Sequence, residues 1–487
     1  MRGFTLIELM VALTISTLIL LALLSLFVNM SRSSTEFKKS NDLIDNGRFA
    51  LQALASEIEH AGYWGGYVPG FDNLTWDEAP LDVPTAIPDP CKTYATWTTE
   101  DRLNLIGLPV VSFETLPSGA GCVSPLSKKA TRVHPLTAVS TALATDAVVI
   151  RNLERCLPGI GNCPADVAGA VYMQHSQCAA ESINGGQPAG ASANSIVFQN
   201  TASATDDAYT GVMLRIRFGT GANQVRWISG YVGSTRTATV TPDWATTPDL
   251  TSWYTLDYSM STVSWPLHNR ACTATGTPAT QAELPVTAGV NTPKRRFRSN
   301  IYYIHDYPHP EDTGVGSEHH NEVIPTLVRS SFDFASGANA HQAPVPLVEG
   351  IEAMRIELGI DNLSDSGDPV DYTDEVVWAD ANHYISPTNR GDGSADIYKR
   401  CTTAAPCTLD ELMNVVSAKI YVLVRARDPD RAETYTDSRT YCLGEFAANG
   451  TCPADNTIAA ANDHYQRHVF TRSVRIVNVS SRRETPP

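Results

Sequence analysis

The stretch "GFTLIELMVALTISTLILLALLSLFV" (Gly3–Val28) decides how the rest of the chain is read. From Phe4 to Val28 it carries one charge, the carboxylate of Glu8. As a helix it rises about 37 Å at ~1.5 Å per residue. That exceeds the ~30 Å hydrocarbon core of a bilayer, so a membrane span is predicted over 4–28. A secretory signal peptide would have a clearer basic start, a shorter apolar run and a small-residue cleavage site. Only Arg2 precedes the run, and Ser25-Leu26-Phe27 is no such site. An acidic side chain at the bilayer centre costs about 2.5–3.5 kcal/mol on insertion scales, so Glu8 needs a partner or a task. Arg32, Lys38 and Lys39 follow the run and leave its orientation open by charge alone.

The helical pattern continues beyond the span. No Pro occurs between Met1 and Val68. Phe37, Ile44, Leu51 and Ile58 recur every seven residues, with Leu54 and Ala61 three positions after the last two. This predicts one long helix, apolar all round over 4–28 and one-sided over 29–62. Gly47 is its expected weak point, at ~1 kcal/mol relative to Ala. "AGYWGGYVPG" (Ala61–Gly70) ends it, with Gly62, Gly65, Gly66 and Pro69 as breakers.

The chain has 487 residues and a formal net charge of -16. That balance argues against general phosphate-backbone binding, so no direct nucleic-acid partner is expected. Ten cysteines follow the apolar run: Cys91, Cys122, Cys156, Cys163, Cys178, Cys272, Cys401, Cys407, Cys442 and Cys452. An even count behind a membrane-directed N-terminus predicts disulfides in an oxidising compartment. No CxxC pair occurs, which disfavours zinc ribbons and thioredoxin chemistry. Cys156/Cys163, Cys401/Cys407 and Cys442/Cys452 are close enough to close small loops. Cys91 with Cys122 and Cys178 with Cys272 would complete a set, but sequence does not fix connectivity.

"GFTLIELMVAL" resembles the class III signal of type IV prepilins and type II secretion pseudopilins. The resemblance implies cleavage after Gly3 by a prepilin peptidase and N-methylation of the new terminus, Phe4. It also implies that Glu8, the fifth residue of the mature chain, sets axial register as subunits enter a filament. The physics agrees: a carboxylate one turn from a terminal ammonium, its own or a neighbour's, offsets the burial cost of both. The leader Met1-Arg2-Gly3 is shorter and less basic than the family's usual one, so a start further upstream stays open. "NGRFALQALASEIEHAGYWGG" (Asn46–Gly66), "LVEGIEAMRIELGID" (Leu347–Asp361), "NVVSAKIYVLVRARD" (Asn414–Asp428) and "HVFTRSVRIVNVSSR" (His468–Arg482) resemble segments of PilW-type minor pilins, relatives of the pseudopilin GspJ.

That family implies an α+β, type IV pilin-like fold, a long N-terminal α-helix packed on antiparallel β-sheet. The sequence predicts a β-rich head over 63–487 with a large β-rich insertion at about 70–290. Strands are predicted at 146–153, 195–201, 211–219, 224–233, 236–242, 299–307, 323–332, 351–360, 415–426 and 470–479. In the head one helix is signalled, after Cys407, with Thr408 as cap and Glu411 at N3. "GGQPAGASANS" (185–195) reads as an exposed loop and "SRRETPP" (481–487) as a frayed tail.

Motifs for chemistry are weak. "HDYPHPEDTGVGSEHHNE" (305–322) holds His305, His309, Glu318, His319 and His320 without metal-site spacing and reads as a hairpin loop. "DNLSDSGDPVDYTDE" (361–375) is acidic but lacks the EF-hand pattern. "TNRGDGSAD" (388–396) looks like a decayed calcium loop, with Asp392 and Asp396 as weak candidates; no other cofactor is implied. Its Arg390-Gly391-Asp392 tripeptide reads as chance. No GxSxG, HExxH or Walker loop is present, so an enzyme is not expected.

The resemblance implies a minor pilin that primes type IV pilus assembly and sits in the tip complex, supporting adhesion and twitching motility. Its partners would be other minor pilins, the major pilin, a large tip adhesin and the prepilin peptidase. It would sit single-pass in the inner membrane with a periplasmic head, then at the pilus tip. The alternatives are a type II secretion pseudopilin and a membrane-anchored periplasmic enzyme or receptor.

Overall fold

The computed structural model describes residues 5–65, 67–74, 79–80, 82–114, 117, 119–122, 145–159, 162–165, 167–173, 182–210, 212–222, 224–257, 271–272, 278–279, 285–287, 290–291, 295–314, 322–380, 384–430 and 435–484. Helix α1 runs unbroken from Leu6 to Glu59, 54 residues, or about 81 Å. It stops because Gly62 takes φ +71°, a conformation that L side chains resist, and donates its N–H to the Arg151 carbonyl at 3.0 Å.

The second half of α1 packs on the head. Its buried stripe is Leu43, Gly47, Ala50, Leu51, Leu54, Ala55, Ile58 and Ala61. This corrects the heptad reading in two places. Phe37 is 70% exposed and lies off the stripe. Gly47 is no weak point: a Cβ there would run into the ring of Phe470. Small residues let the helix lie close to the sheet, and burial follows a 3.6-residue period rather than a strict seven.

Beneath α1 lie two antiparallel sheets. The central sheet runs in the order Val110–Phe113, Ala147–Leu153, Arg295–Pro308 and Val323–Ala335, then Ala338–His341, with Val345–Glu349 also on Val323–Ala335 and Tyr172–Met173 on Arg295–Pro308. The C-terminal sheet has the order Ile397–Lys399, Ile351–Ile360, Val415–Arg425, Arg467–Arg475. One core joins them: Leu54 and Ile58 of α1 pack in the same cluster as Val148, Ile150 and Tyr302 and as Ile356, Ile420 and Val474.

Within the stretch 70–290, the strands at 110–113, 147–153 and 172–173 belong to the central sheet, while 182–257 form a separate seven-stranded sheet. That sheet has its own core of Ile196, Phe198, Tyr209, Leu214, Tyr231 and Tyr254. The expected loop at 185–195 contributes strands Ser182–Gly186 and Gly190–Ser192 to its two edges. Small residues there leave no apolar signal, and pairing alone defines the strands.

Helix α2 (Thr99–Gly107) went unpredicted, although Thr98 and Asp101 form a capping box; Asp at N3 does the work that Glu does elsewhere. Helix α3 (Leu409–Met413) starts at Thr408 with Glu411 closing the box, as read from sequence. The predicted strand to 479 ends at Arg475, and Val477–Arg483 form helix α4. The predicted frayed tail is therefore ordered over 481–483, where Arg483 is buried at 2% exposure, while 485–487 lie outside the described residues.

Candidate functional site: an uncovered helix and its clasp

Among the described residues the first half of α1 is exposed throughout. An 18-residue window of mean hydropathy 2.6 has none of its residues buried. Leu6, Ile7, Leu13, Leu18, Leu24 and Phe27 are each more than half exposed. Such a surface needs lipid or other apolar helices around it.

Thr5 is the N-cap of α1. Its N–H and hydroxyl donate to the Glu8 carboxylate at 2.9 and 2.8 Å, and the Glu8 N–H donates back to Thr5 Oγ1 at 3.3 Å. Glu8 therefore has a first task inside its own chain, closing the helix start. Both donors meet the same carboxylate oxygen, and among the described residues the other has no hydrogen-bond partner. Gly3 and Phe4 lie outside the described residues.

At the other end of α1 a clasp of buried charge holds the helix terminus to the head. Arg482 of α4 donates to the Gly62 carbonyl at 2.6 Å, just past the end of α1. Arg483 donates to Asp72 (3.0 Å), Asp361 (3.3 Å), Asn414 (2.8 Å) and the Met413 carbonyl (2.9 Å). Asp361 also accepts the N–H groups of Asp392 (3.1 Å) and Gly393 (2.9 Å). Burial pushes the Asp361 carboxyl up to about 6, against the pull of Arg483 and those amides. Nothing in the tail's sequence signals this, because its partners come from residues 62, 72, 361 and 413–414.

Where α1 leaves the head, a groove of about 980 Å³ lies between the helix and the segment 425–430. Lys39 crosses it to the Pro429 carbonyl at 3.2 Å. Glu36, Asp42 and Asp428 face it with Arg427.

The calcium candidates do not converge. Asp392 accepts from the Ser394 N–H (2.7 Å) and Asp396 from the Leu363 N–H (2.8 Å). Among the described residues no three His, Cys, Asp or Glu side chains are placed to hold a metal. Arg390 of the Arg-Gly-Asp tripeptide is buried and spends its guanidinium on backbone carbonyls, including that of Asp374 at 2.8 Å. His309 is buried beside Asp428 at 3.4 Å, while Glu318, His319 and His320 lie outside the described residues. Disulfides join Cys91–Cys122, Cys156–Cys163, Cys401–Cys407 and Cys442–Cys452. Cys178 and the side chain of Cys272 lie outside the described residues.

The helix is bare and apolar in its first half and docked on antiparallel sheet in its second, the architecture of a type IV pilin-like fold. Residues 302–478 match the family described as type IV pilus-assembly protein W (PilW), and residues 1–24 match the prokaryotic N-terminal methylation motif. Over these two stretches the chain is similar to PilW-type minor pilins of type IV pili, which are structural proteins. The family that is matched is one of pilus-assembly proteins, and the methylation motif with its apolar helix fits membrane anchoring. No curated protein matches it. A solved type IV-like pilin from Thermus thermophilus is 13% identical over 38% of this chain and 70% of its own, with a TM-score of 0.18, a likeness too slight to bear on the fold.

Proposed function

We propose that this minor pilin primes type IV pilus assembly and remains in the tip complex, where it supports adhesion and twitching motility. It waits in the inner membrane through 4–28 with its head in the periplasm. A prepilin peptidase cuts after Gly3, and Phe4 is N-methylated. Other minor pilins, the major pilin and a large tip adhesin are its partners. The supporting observation is the contrast along α1: its first half is uncovered and apolar, its second is clasped to a broad head. A head with a separate seven-stranded sheet packs poorly along a shaft but fits at an end.

The test is mass spectrometry and gold labelling of sheared pili carrying a tagged chain. N-methyl-Phe4 at the mature terminus and label at filament ends are the expected results. Gly3→Val should leave uncut protein in the membrane, and normal mature Phe4 in that variant would overturn the processing step. A deletion strain with normal pili but failed secretion would place the chain among secretion pseudopilins instead.

A further inference from the structure

We propose that the outer edge of strand Arg467–Arg475 receives an extended segment of another pilus subunit, which adds a fifth strand to the C-terminal sheet. The proposal rests on the reading of this chain as a pilus subunit. The strand is the last in its sheet and pairs only with Val415–Arg425. The Ala426 N–H donates to the Gln466 carbonyl and the Ile476 N–H to the Val416 carbonyl, both at 2.8 Å. Even-numbered residues of this strand therefore turn their backbone groups toward Val415–Arg425. Odd-numbered ones turn them outward. Arg439 takes the Arg467 carbonyl at 3.3 Å. Beyond it, the outward groups of Val469, Thr471, Ser473 and Arg475 meet no strand among the described residues.

Proteins normally blunt such an edge with a short strand, a Pro, a bulge or free charge. This edge is nine residues long, contains no Pro and keeps unbroken register with its neighbour. Its two outer arginines are engaged within the chain, Arg472 with Glu59 at 3.6 Å and Arg475 with Glu484. One face of the edge is closed, because Phe470 packs on Gly47 of α1. On the other face Val469 and Thr471 border a groove of about 510 Å³ whose far wall holds Tyr441, Gly444 and Phe446. The Cys442–Cys452 bridge fixes that wall, and Phe446 is 64% exposed.

Strand addition draws affinity from main-chain hydrogen bonds and specificity from pockets for alternate side chains. Both elements are present here side by side. The occupant's chemistry follows: an extended segment without Pro at its paired positions, with an apolar or aromatic side chain where it passes Phe446.

Hydrogen exchange on the full chain, in detergent and in purified pili, tests this. The Val469, Thr471 and Ser473 amides should exchange on the order of 100-fold more slowly in pili. Ser473→Pro removes an outward donor and spares the ladder with Val415–Arg425. It should keep the wild-type melting temperature and lose the protection at Thr471. Thr471→Ala, which leaves the backbone intact, should keep it. Unchanged exchange in pili that contain the chain overturns strand addition alone. Absence of the chain from pili overturns the pilus reading and this proposal together.

Discussion

Glu8 has one job in the structure and a second proposed for it, and one substitution can separate them. Its carboxylate closes the capping box with Thr5, and the proposed assembly role would have its charge meet a terminal ammonium. Gln at N3 also supports a capping box, so Glu8→Gln should keep the helix start and lose only the charge. Loss of one member of a buried ion pair costs about 3–5 kcal/mol, or two to three orders of magnitude in association at ~1.4 kcal/mol per tenfold. Normal abundance with a depleted share in sheared pili is the expected result, read by quantitative immunoblot. A wild-type share would show that assembly does not use the charge. Gly47 carries the second residue-scale prediction. Gly47→Ala gains ~1 kcal/mol of helix propensity but drives a methyl into Phe470, and overpacking costs about 1–3 kcal/mol. Net destabilisation in urea unfolding is expected, with Phe470→Leu restoring stability to Gly47→Ala. A stabilised Gly47→Ala would mean that the contact has slack. The sequence showed Gly47 as a helix defect because its partner lies over four hundred positions away.

Elements whose signals are local were legible, and those made by distant partners were not. Thr408 and Glu411 sit three residues apart and announce α3. The apolar run Ile351–Ile360 announces a strand, and the structure keeps those bounds. Helix α4 gives no such sign, because Arg482 and Arg483 read as solvent charge until Asp72 and Asp361 are brought beside them. Truncation before Arg482 should therefore cost about 3–5 kcal/mol, since buried carboxylates lose their cation. Restoration of most of that loss by Asp72→Asn would confirm the cause, and a truncation without effect in urea would refute it. The same clasp predicts a pH dependence. The Asp361 carboxyl sits at about 6 in the fold and near ~3.9 when unfolded. The folded state thus holds the proton more tightly, and stability falls as pH rises between those values. Two pKa units amount to at most about 3 kcal/mol. Asp361→Asn should remove that slope; curves that stay parallel from pH 4 to 7 would rule Asp361 out as its source.

At the scale of the molecule, the seven-stranded sheet is an addition to the helix and the two sheets beneath it. The chain leaves the central sheet at Met173 and returns at Arg295, and these two residues are cross-strand partners. Their backbones are neighbours, so an Asn-Gly turn can replace everything between them. The sheet's core, with Phe198 stacked on Tyr254 at 4.7 Å, shares no residue with the core under α1. One described tie to the rest is the Arg215 guanidinium on the Ala79 carbonyl at 3.0 Å. The excision also removes Cys178 and Cys272 together, leaving eight cysteines, all of them bridged in the structure. The PilW match begins at residue 302, after the excised stretch. The shortened chain should therefore fold, show no free thiol under denaturing, non-reducing conditions, and keep the melting temperature of the rest of the head, since the excised core shares no residue with the core under α1. It should also enter sheared pili, because α1, the clasp and the C-terminal sheet are intact. Adhesion is where a loss is expected, since the excised sheet exposes Phe218, Leu250 and Trp253. A shortened chain that scrambles its disulfides or melts far below the parent would show that the sheet is part of the body and not an addition to it.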